Sequence, residues 1–209
     1  MNINSKQYIG KAIFVTATNT DVGKTYACEK LLNFFAKEGL KVGYFKPIET
    51  GVINNQPFDG TKLFNLACNL NSDYKKLSIK DVVPYQFTLP ASPYVAKGNT
   101  FIDIDFLKKQ KDYLLSFCDI LIVEGAGGLM VPIEIDYFMI DLIKEFNTKA
   151  FLIGPSNLGC INDILLSMNA LKNKDIDFDF FINLYKDLDS FEKVTKPFLE
   201  DYFKRLSFL

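Results

Sequence analysis

The sequence contains no histidine in its 209 residues. Histidine is the side chain whose ordinary pKa puts its charge change near neutrality. Its absence excludes a histidine general base, a Ser-His-Asp or Cys-His nucleophile, and histidine-ligated zinc. Cysteine is scarce as well: four residues stand at 28, 68, 118 and 160, without a CxxC pair or a spacing suited to a metal cage, and they read as reduced thiols. No run of about 18 apolar residues occurs, and the N-terminal MNINSKQYIGK lacks the apolar stretch of a signal peptide, so a cytoplasmic protein without a membrane partner is expected. An excess of one charge is also missing. With 24 basic against 25 acidic residues there is no net basic field to hold nucleic acid or an anionic surface. Chemistry here must rest on carboxylates, lysines, hydroxyls, backbone N–H groups or a hard metal ion.

What is present is an ordinary globular composition, 48% hydrophobic and 23% charged. The length fits a single domain spanning residues 1–209, able to bury about 70% of its unfolded surface. Short apolar runs alternate with longer amphipathic stretches, the pattern of a three-layer, doubly wound, mostly parallel α/β sheet. Strands are expected at Ala12–Thr16, Lys41–Pro47, Asp119–Val123, Ala150–Gly154 and Phe178–Asn183. Helices are expected from Gly23-Lys24-Thr25 to Gly39, then at 58–70, 106–117, 137–146, 161–173 and 189–206, the last as one amphipathic, core-packing helix. The stretches 50–57 and 84–93 read as loops, and long loops in compact domains tend to be functional.

Thr18-Asn19-Thr20-Asp21-Val22-Gly23-Lys24-Thr25 follows a buried strand and opens a helix, the context that a phosphate-binding P-loop requires. Backbone N–H groups of such a turn face the phosphates, Lys24 neutralises the outer ones, and the Thr25 hydroxyl is a ligand for Mg²⁺. The motif departs from its usual form at Thr18, where glycine is common; a chance Gly-Lys-Thr at a helix start is the competing reading. Glu124 follows five strand residues and precedes Gly125-Ala126-Gly127-Gly128, so it reads either as a second acidic group for a Mg²⁺-nucleotide or as a solvated carboxylate in a turn. Lys46 closes the second strand and should face the same crevice, since ligands of doubly wound sheets gather at the carboxyl ends of the strands. On its own, a lysine there is more often a solvated surface charge.

Five blocks in order carry a resemblance. Thr16 to Thr25, Tyr44-Phe45-Lys46-Pro47, Pro84-Tyr85-Gln86-Phe87 with Pro90-Ala91-Ser92-Pro93, Val123 to Gly128, and Leu158-Gly159-Cys160-Ile161-Asn162 resemble the dethiobiotin synthetases over residues 12 to about 185. The resemblance implies a P-loop NTPase-type fold and a ligase of biotin biosynthesis. Such an enzyme converts 7,8-diaminopelargonic acid, CO₂ (or bicarbonate) and ATP to dethiobiotin, ADP and phosphate through a carbamate and a carbamic-phosphoric anhydride. It implies catalytic roles for Lys46, Lys24 and Thr20, substrate contacts from Thr50, Leu158, Gly159, Cys160 and Asn162, and Mg²⁺ ligands at Thr25, Asp59 and Glu124. Nucleotide contacts fall on Asp21, Val22, Gly23, Lys24, Thr25, Tyr26, Asp59, Glu124, Gly125, Ala126, Gly127 and Asn183. It further implies a homodimer with the site at the subunit interface, the helix start at 158–162 being supplied by the partner.

Only 26 residues follow Asn183, where relatives continue with a loop over the base, so weak discrimination among nucleoside triphosphates or relatively weak ATP binding is expected. A ParA- or MinD-like ATPase switch is the alternative. Such switches carry a lysine at the position held here by Thr18, and membrane-bound versions add a basic amphipathic tail, which Glu192, Glu200 and Asp201 dilute here. Synthetases of the cobyric acid type carry a glutaminase domain, for which this chain has neither the length nor a histidine.

Overall fold

The computed structural model describes residues 3–185 and 188–209. In chain order the elements are β1 (Lys11–Ala17), α1 (Lys24–Lys37), β2 (Val42–Phe45), β3 (Ile48–Thr50), α2 (Phe58–Leu70), α3 (Ile79–Val82), β4 (Tyr85–Phe87), α4 (Pro93–Ala96), α5 (Ile104–Leu115), β5 (Ile120–Gly128), β6 (Pro132–Glu134), β7 (Tyr137–Phe138), α6 (Met139–Glu145), β8 (Lys149–Pro155), α7 (Cys160–Asn173), β9 (Phe178–Asn183), α8 (Leu188–Ser190) and α9 (Lys196–Phe203). Five of the strands form the central sheet in the order β2-β5-β1-β8-β9, all parallel. Parallel strands are buried on both faces and therefore read as continuous apolar runs; Ile13 to Val15, Ile120 to Val123 and Phe151 to Ile153 are fully inaccessible.

Aromatic contacts show how the layers close. On one face Tyr8 packs edge-on against Phe35 of α1 and Phe151 of β8, with ring centroids 5.9 and 5.7 Å apart. On the other, Phe14 of β1 and Phe45 of β2 meet Phe146, just beyond α6, at 6.1 and 6.2 Å. Helices therefore cover both sides, giving the three-layer, doubly wound α/β architecture. Because the strands run one way, their carboxyl ends share an edge; the phosphate loop and Lys46 follow strands there, and Glu124 lies within β5 at the last regular pair before its bulge.

Three expectations about local structure are corrected. The stretches 50–57 and 84–93 are not plain loops: β3 pairs with β4 in parallel, Ile48 with Tyr85 and Thr50 with Phe87, making a separate two-stranded ribbon. Tyr137 does not open a helix but pairs with β6, because the Asp141 carboxylate accepts the Phe138 N–H at 2.8 Å and starts α6 after it. The C-terminal stretch is broken rather than one helix. A π-helical turn at Phe191–Thr195 separates α8 from α9, whose second residue, Pro197, lacks the N–H that would continue a regular ladder. The helix then ends at Lys204 with a positive φ, and the last residues run beside β9, where the Ile182 N–H donates to Ser207 at 2.9 Å and the Leu209 N–H to Ile182 at 3.1 Å. Phe191 and Leu199 pack with Ile182 in a small apolar cluster, so the expected core-packing role of this segment holds.

β2 is packed without slack. A β-carbon at Gly43 would press against the Tyr74 hydroxyl and the Cys118 sulfur, each closer than real contacts allow. Gly43→Ala should therefore cost about 1–3 kcal/mol by overpacking. A urea midpoint that falls at unchanged m-value checks this, and an unchanged midpoint would contradict it.

Candidate active site at the carboxyl ends of the sheet

The phosphate loop leaves β1 at Ala17 and turns on two left-handed residues, Asp21 (φ +57°) and Gly23 (φ +100°), before α1 begins at Lys24. Only glycine fits at 23, since a β-carbon would run into the Asn183 amide. No side chain caps the N-terminus of α1, so its first N–H groups are left for an anion. The Lys24 ammonium lies back over this loop and donates to the Asn19 carbonyl at 3.1 Å. Burial lowers its pKa, against the opposing pull of Glu124.

Glu124 is the centre of the arrangement. It is 1% exposed, and its two oxygens have different partners. Oε1 accepts from the Thr25 hydroxyl at 2.8 Å and the Lys46 ammonium at 3.1 Å; Oε2 accepts from the Tyr44 hydroxyl at 2.6 Å. Strand parity explains the convergence. Tyr44 stands opposite Ile122 in the β2–β5 register, and Lys46 and Glu124 each lie two residues further on, on the same face. Beyond Glu124 the strand bulges: Val15 pairs with Glu124 but Ala17 with Gly128, which turns Gly125, Ala126 and Gly127 toward the crevice. Burial, the Glu124 charge and their hydrogen bond push the Tyr44 phenol well above its ordinary pKa and keep it a donor.

Lys46 is not the solvated surface charge that a strand-end lysine usually is. It is 5% exposed and bridges Glu124 and Asp59, each at 3.1 Å, with Glu49 at 3.9 Å. Burial alone lowers its pKa, but the three carboxylates outweigh this and hold the ammonium above its usual range. Asp59 reaches the bridge from the first turn of α2. That turn is set by Glu49, a residue the sequence reading did not single out, whose carboxylate accepts the Asp59 and Gly60 N–H groups at 3.1 and 2.8 Å. Burial raises the pKa of Glu49, opposed by Lys46 and these N–H groups. Its position in Lys46-Pro47-Ile48-Glu49-Thr50 was a faint signal; its partners lie about ten residues away across a turn and could not be read.

These groups border a cleft of about 730 Å³. Of the expected site residues, Thr20, Asp21, Gly23, Lys24, Thr25, Lys46, Thr50, Asp59, Glu124, Gly125, Ala126 and Gly127 line it, joined by Ile48, Glu49 and the Pro90 to Pro93 turn. Val22 is buried behind the loop, and Tyr26 is exposed beside it without lining the cleft. Asn183 is 5% exposed, its amide donating to the Val22 carbonyl at 2.9 Å, while the Tyr185 hydroxyl donates to the Asp21 carbonyl at 2.7 Å. The block at 158–162 does not reach the cleft of its own chain: Gly159 starts α7 with φ +92°, Leu158 is 72% exposed, Cys160 is fully buried, and the exposed Asn162 contacts only Asp163 among the hydrogen bonds described.

Parallel strands, a phosphate-cradling loop and acidic residues at one sheet edge define a P-loop α/β protein. Residues 11–180 match a family described as an AAA domain. Solved structures similar in fold include the MinD cell division protein of Aquifex aeolicus (TM-score 0.56, 17% identity, 94% of this chain and 79% of that one) and a ParA family ATPase from Chlorobium tepidum (0.54, 13%, 93% and 82%). At these identities the likeness establishes the fold alone. Much closer in sequence are the proteins named ATP-dependent dethiobiotin synthetase BioD of Sulfurovum sp. strain NBC37-1, 50% identical over 92% of this chain and 91% of that one, and of Wolinella succinogenes, 36% identical over 94% and 91%. The chain belongs to the ATP-dependent dethiobiotin synthetase family.

Glu49 offers a direct check on this architecture. Glu49→Ala removes the acceptors of two N–H groups, one of them buried, and should cost about 1–3 kcal/mol, with Glu49→Gln, which keeps one acceptor oxygen, losing less. Urea unfolding of the two variants tests the order; equal stability of both with the parent would refute the capping role.

Proposed function

We propose that this chain, a ligase of biotin biosynthesis, closes the ureido ring of dethiobiotin from 7,8-diaminopelargonic acid, CO₂ and ATP through a carbamate and a mixed anhydride. The observation that carries the reading is one cleft in which the phosphate loop, Lys46, Thr20, Thr50 and the Glu124–Asp59 carboxylates converge. In the first step one amine of the substrate adds to CO₂ and loses a proton, giving a carbamate anion. A carbamate oxygen then attacks the γ-phosphorus of ATP and ADP leaves. The second amine attacks the carbamate carbon, expels phosphate, loses a proton and closes the ring.

Every intermediate before ring closure is an anion, so the demand on the protein is charge neutralisation and positioning. Lys46, held protonated among carboxylates, supplies a cation for the carbamate and the transferring phosphoryl group. Lys24 and the open N-terminus of α1 take the outer phosphates. Thr20 and Thr50 offer hydroxyls toward the diamine and carbamate. The residues also fit Mg²⁺: Thr25, Glu124 and Asp59 are hard oxygen donors, and the ammonium of Lys46 already sits as a cation between the two carboxylates. Among the described residues no group of three or more acidic or sulfur side chains is placed to hold a metal ion by itself. When bound, Mg²⁺ neutralises charge on the β- and γ-phosphate oxygens.

The 158–162 segment supports a homodimer, since it presents an exposed leucine and a helix start that its own cleft does not use. In this reading the segment reaches the partner's cleft, where the helix N-terminus holds the substrate's tail carboxylate. A monomer by sedimentation at micromolar concentration would contradict it. At the base end the Asn183 amide is committed to the Val22 carbonyl, which supports weak base selectivity. ATP, GTP and CTP should then bind within about tenfold of one another, under about 1.4 kcal/mol, in calorimetric titrations. A strong preference for ATP would refute this.

The decisive experiment is ADP release with diaminopelargonic acid and bicarbonate present. Release should depend on both, Lys46→Ala should abolish it in a protein that remains folded by circular dichroism, and Glu124→Ala should weaken its Mg²⁺ dependence. Substrate-independent ADP release would move the reading to an ATPase switch, and near-normal turnover in Lys46→Ala would remove the lysine from its role.

A further inference from the structure

Tyr44 has no place among the residues facing the cleft. Its side chain is fully buried in β2, so it cannot touch substrate or nucleotide, yet its hydroxyl makes the shortest hydrogen bond to Glu124, 2.6 Å to Oε2. From behind, the Tyr74 hydroxyl donates to the Tyr44 carbonyl at 3.3 Å and ties this strand position to the turn at Ser72–Lys76. The two oxygens of Glu124 are thereby divided. Oε2 is held toward the core by a donor on a rigid strand, and Oε1 alone is turned to Thr25 and Lys46 at the cleft.

We infer that Tyr44 is a positioning residue for the cation site: its buried hydroxyl occupies one oxygen of Glu124 so that the carboxylate offers the other, in one fixed orientation, to the metal ion that accompanies the nucleotide. Without the hydroxyl, Oε2 has no donor in the core. The carboxylate then turns to satisfy both oxygens from Lys46 and Thr25, and the orientation is lost. Partners of this kind behind a metal ligand typically change metal affinity or activity by about 10- to 100-fold. Tyrosine is suited to the task because the ring fills the layer between sheet and α1 while only its tip is polar.

The inference rests on the reading of Glu124 as an oxygen ligand, and the test separates the two. Full-length protein with a non-hydrolysable ATP analogue is titrated with MgCl₂, and the rise in melting temperature gives the half-saturating Mg²⁺ concentration. Tyr44→Phe keeps ring and volume and should raise that concentration about 10-fold or more. Tyr74→Phe, which removes a hydroxyl bonded to the Tyr44 carbonyl and the Cys118 side chain and not to Glu124, should lower the melting temperature without moving the half-saturation point. In a Glu124→Gln background, Tyr44→Phe should have no further effect on half-saturation. A parental Mg²⁺ response in Tyr44→Phe overturns the inference, as does the same further loss in the Glu124→Gln background. Failure of Tyr44→Phe to fold also overturns it, because the work of the hydroxyl would then lie in the core. If Glu124→Gln itself leaves half-saturation unchanged, the reading of Glu124 as a ligand fails first.

Discussion

A carboxylate removed from water is the constraint on which the rest of this structure depends. Leaving Glu124 buried and unpaired would cost several kcal/mol. Three donors from two neighbouring elements offset that cost: Thr25 from α1, and Tyr44 and Lys46 from β2 and its end. Because β2 lies beside β5 in the sheet, and α1 packs over both, none of these bonds forms before the layers close. Folding the domain and bringing these three donors to Glu124 are therefore the same event. The phosphate loop is held in place by the same closure, through Asn183 at the end of β9.

Charge in the cleft is arranged rather than merely abundant. Two lysines and three carboxylates share a small volume, yet the chain as a whole is nearly neutral. Lys46 stands where the carboxylates of Glu49, Asp59 and Glu124 converge, so its ammonium balances part of their charge. For the proposed reaction a site built this way has no need of histidine, since cations and a helix N-terminus set against successive anions would meet its demand.

Much of this was legible from local pattern. The strand–loop–helix at residues 12–39, the apolar run before Glu124 and the strand ending near Lys46 follow from hydrophobic periodicity and glycine placement, and they led to most of the cleft. What was misread depended on partners distant in sequence. β3 and β4 are three residues each, too short for alternation to declare them, and each exists through the other across more than thirty residues. The C-terminal helix shows a continuous amphipathic pattern, but Pro197 and the pairing of the last residues with Ile182 break it into pieces. Glu49 drew no role, and neither did Tyr44 although it stands in one of the five resembling blocks, because a capping carboxylate and a buried phenol look like any strand residue until their hydrogen-bond partners are known.

The sequence by itself determined the class of architecture and the chemistry available: a parallel α/β sheet, a phosphate loop, oxygen and ammonium groups, and no imidazole. Those follow from residue type and short-range spacing, which a single chain displays openly. Only the tertiary structure decided that Lys46 is buried between carboxylates rather than solvated, that Glu124 presents one oxygen and not two, and that residues 158–162 stand apart from their own cleft. Each of those is a relation between side chains brought together from separate strands and helices, and its energy comes from excluding water around them, which spacing along the chain does not encode.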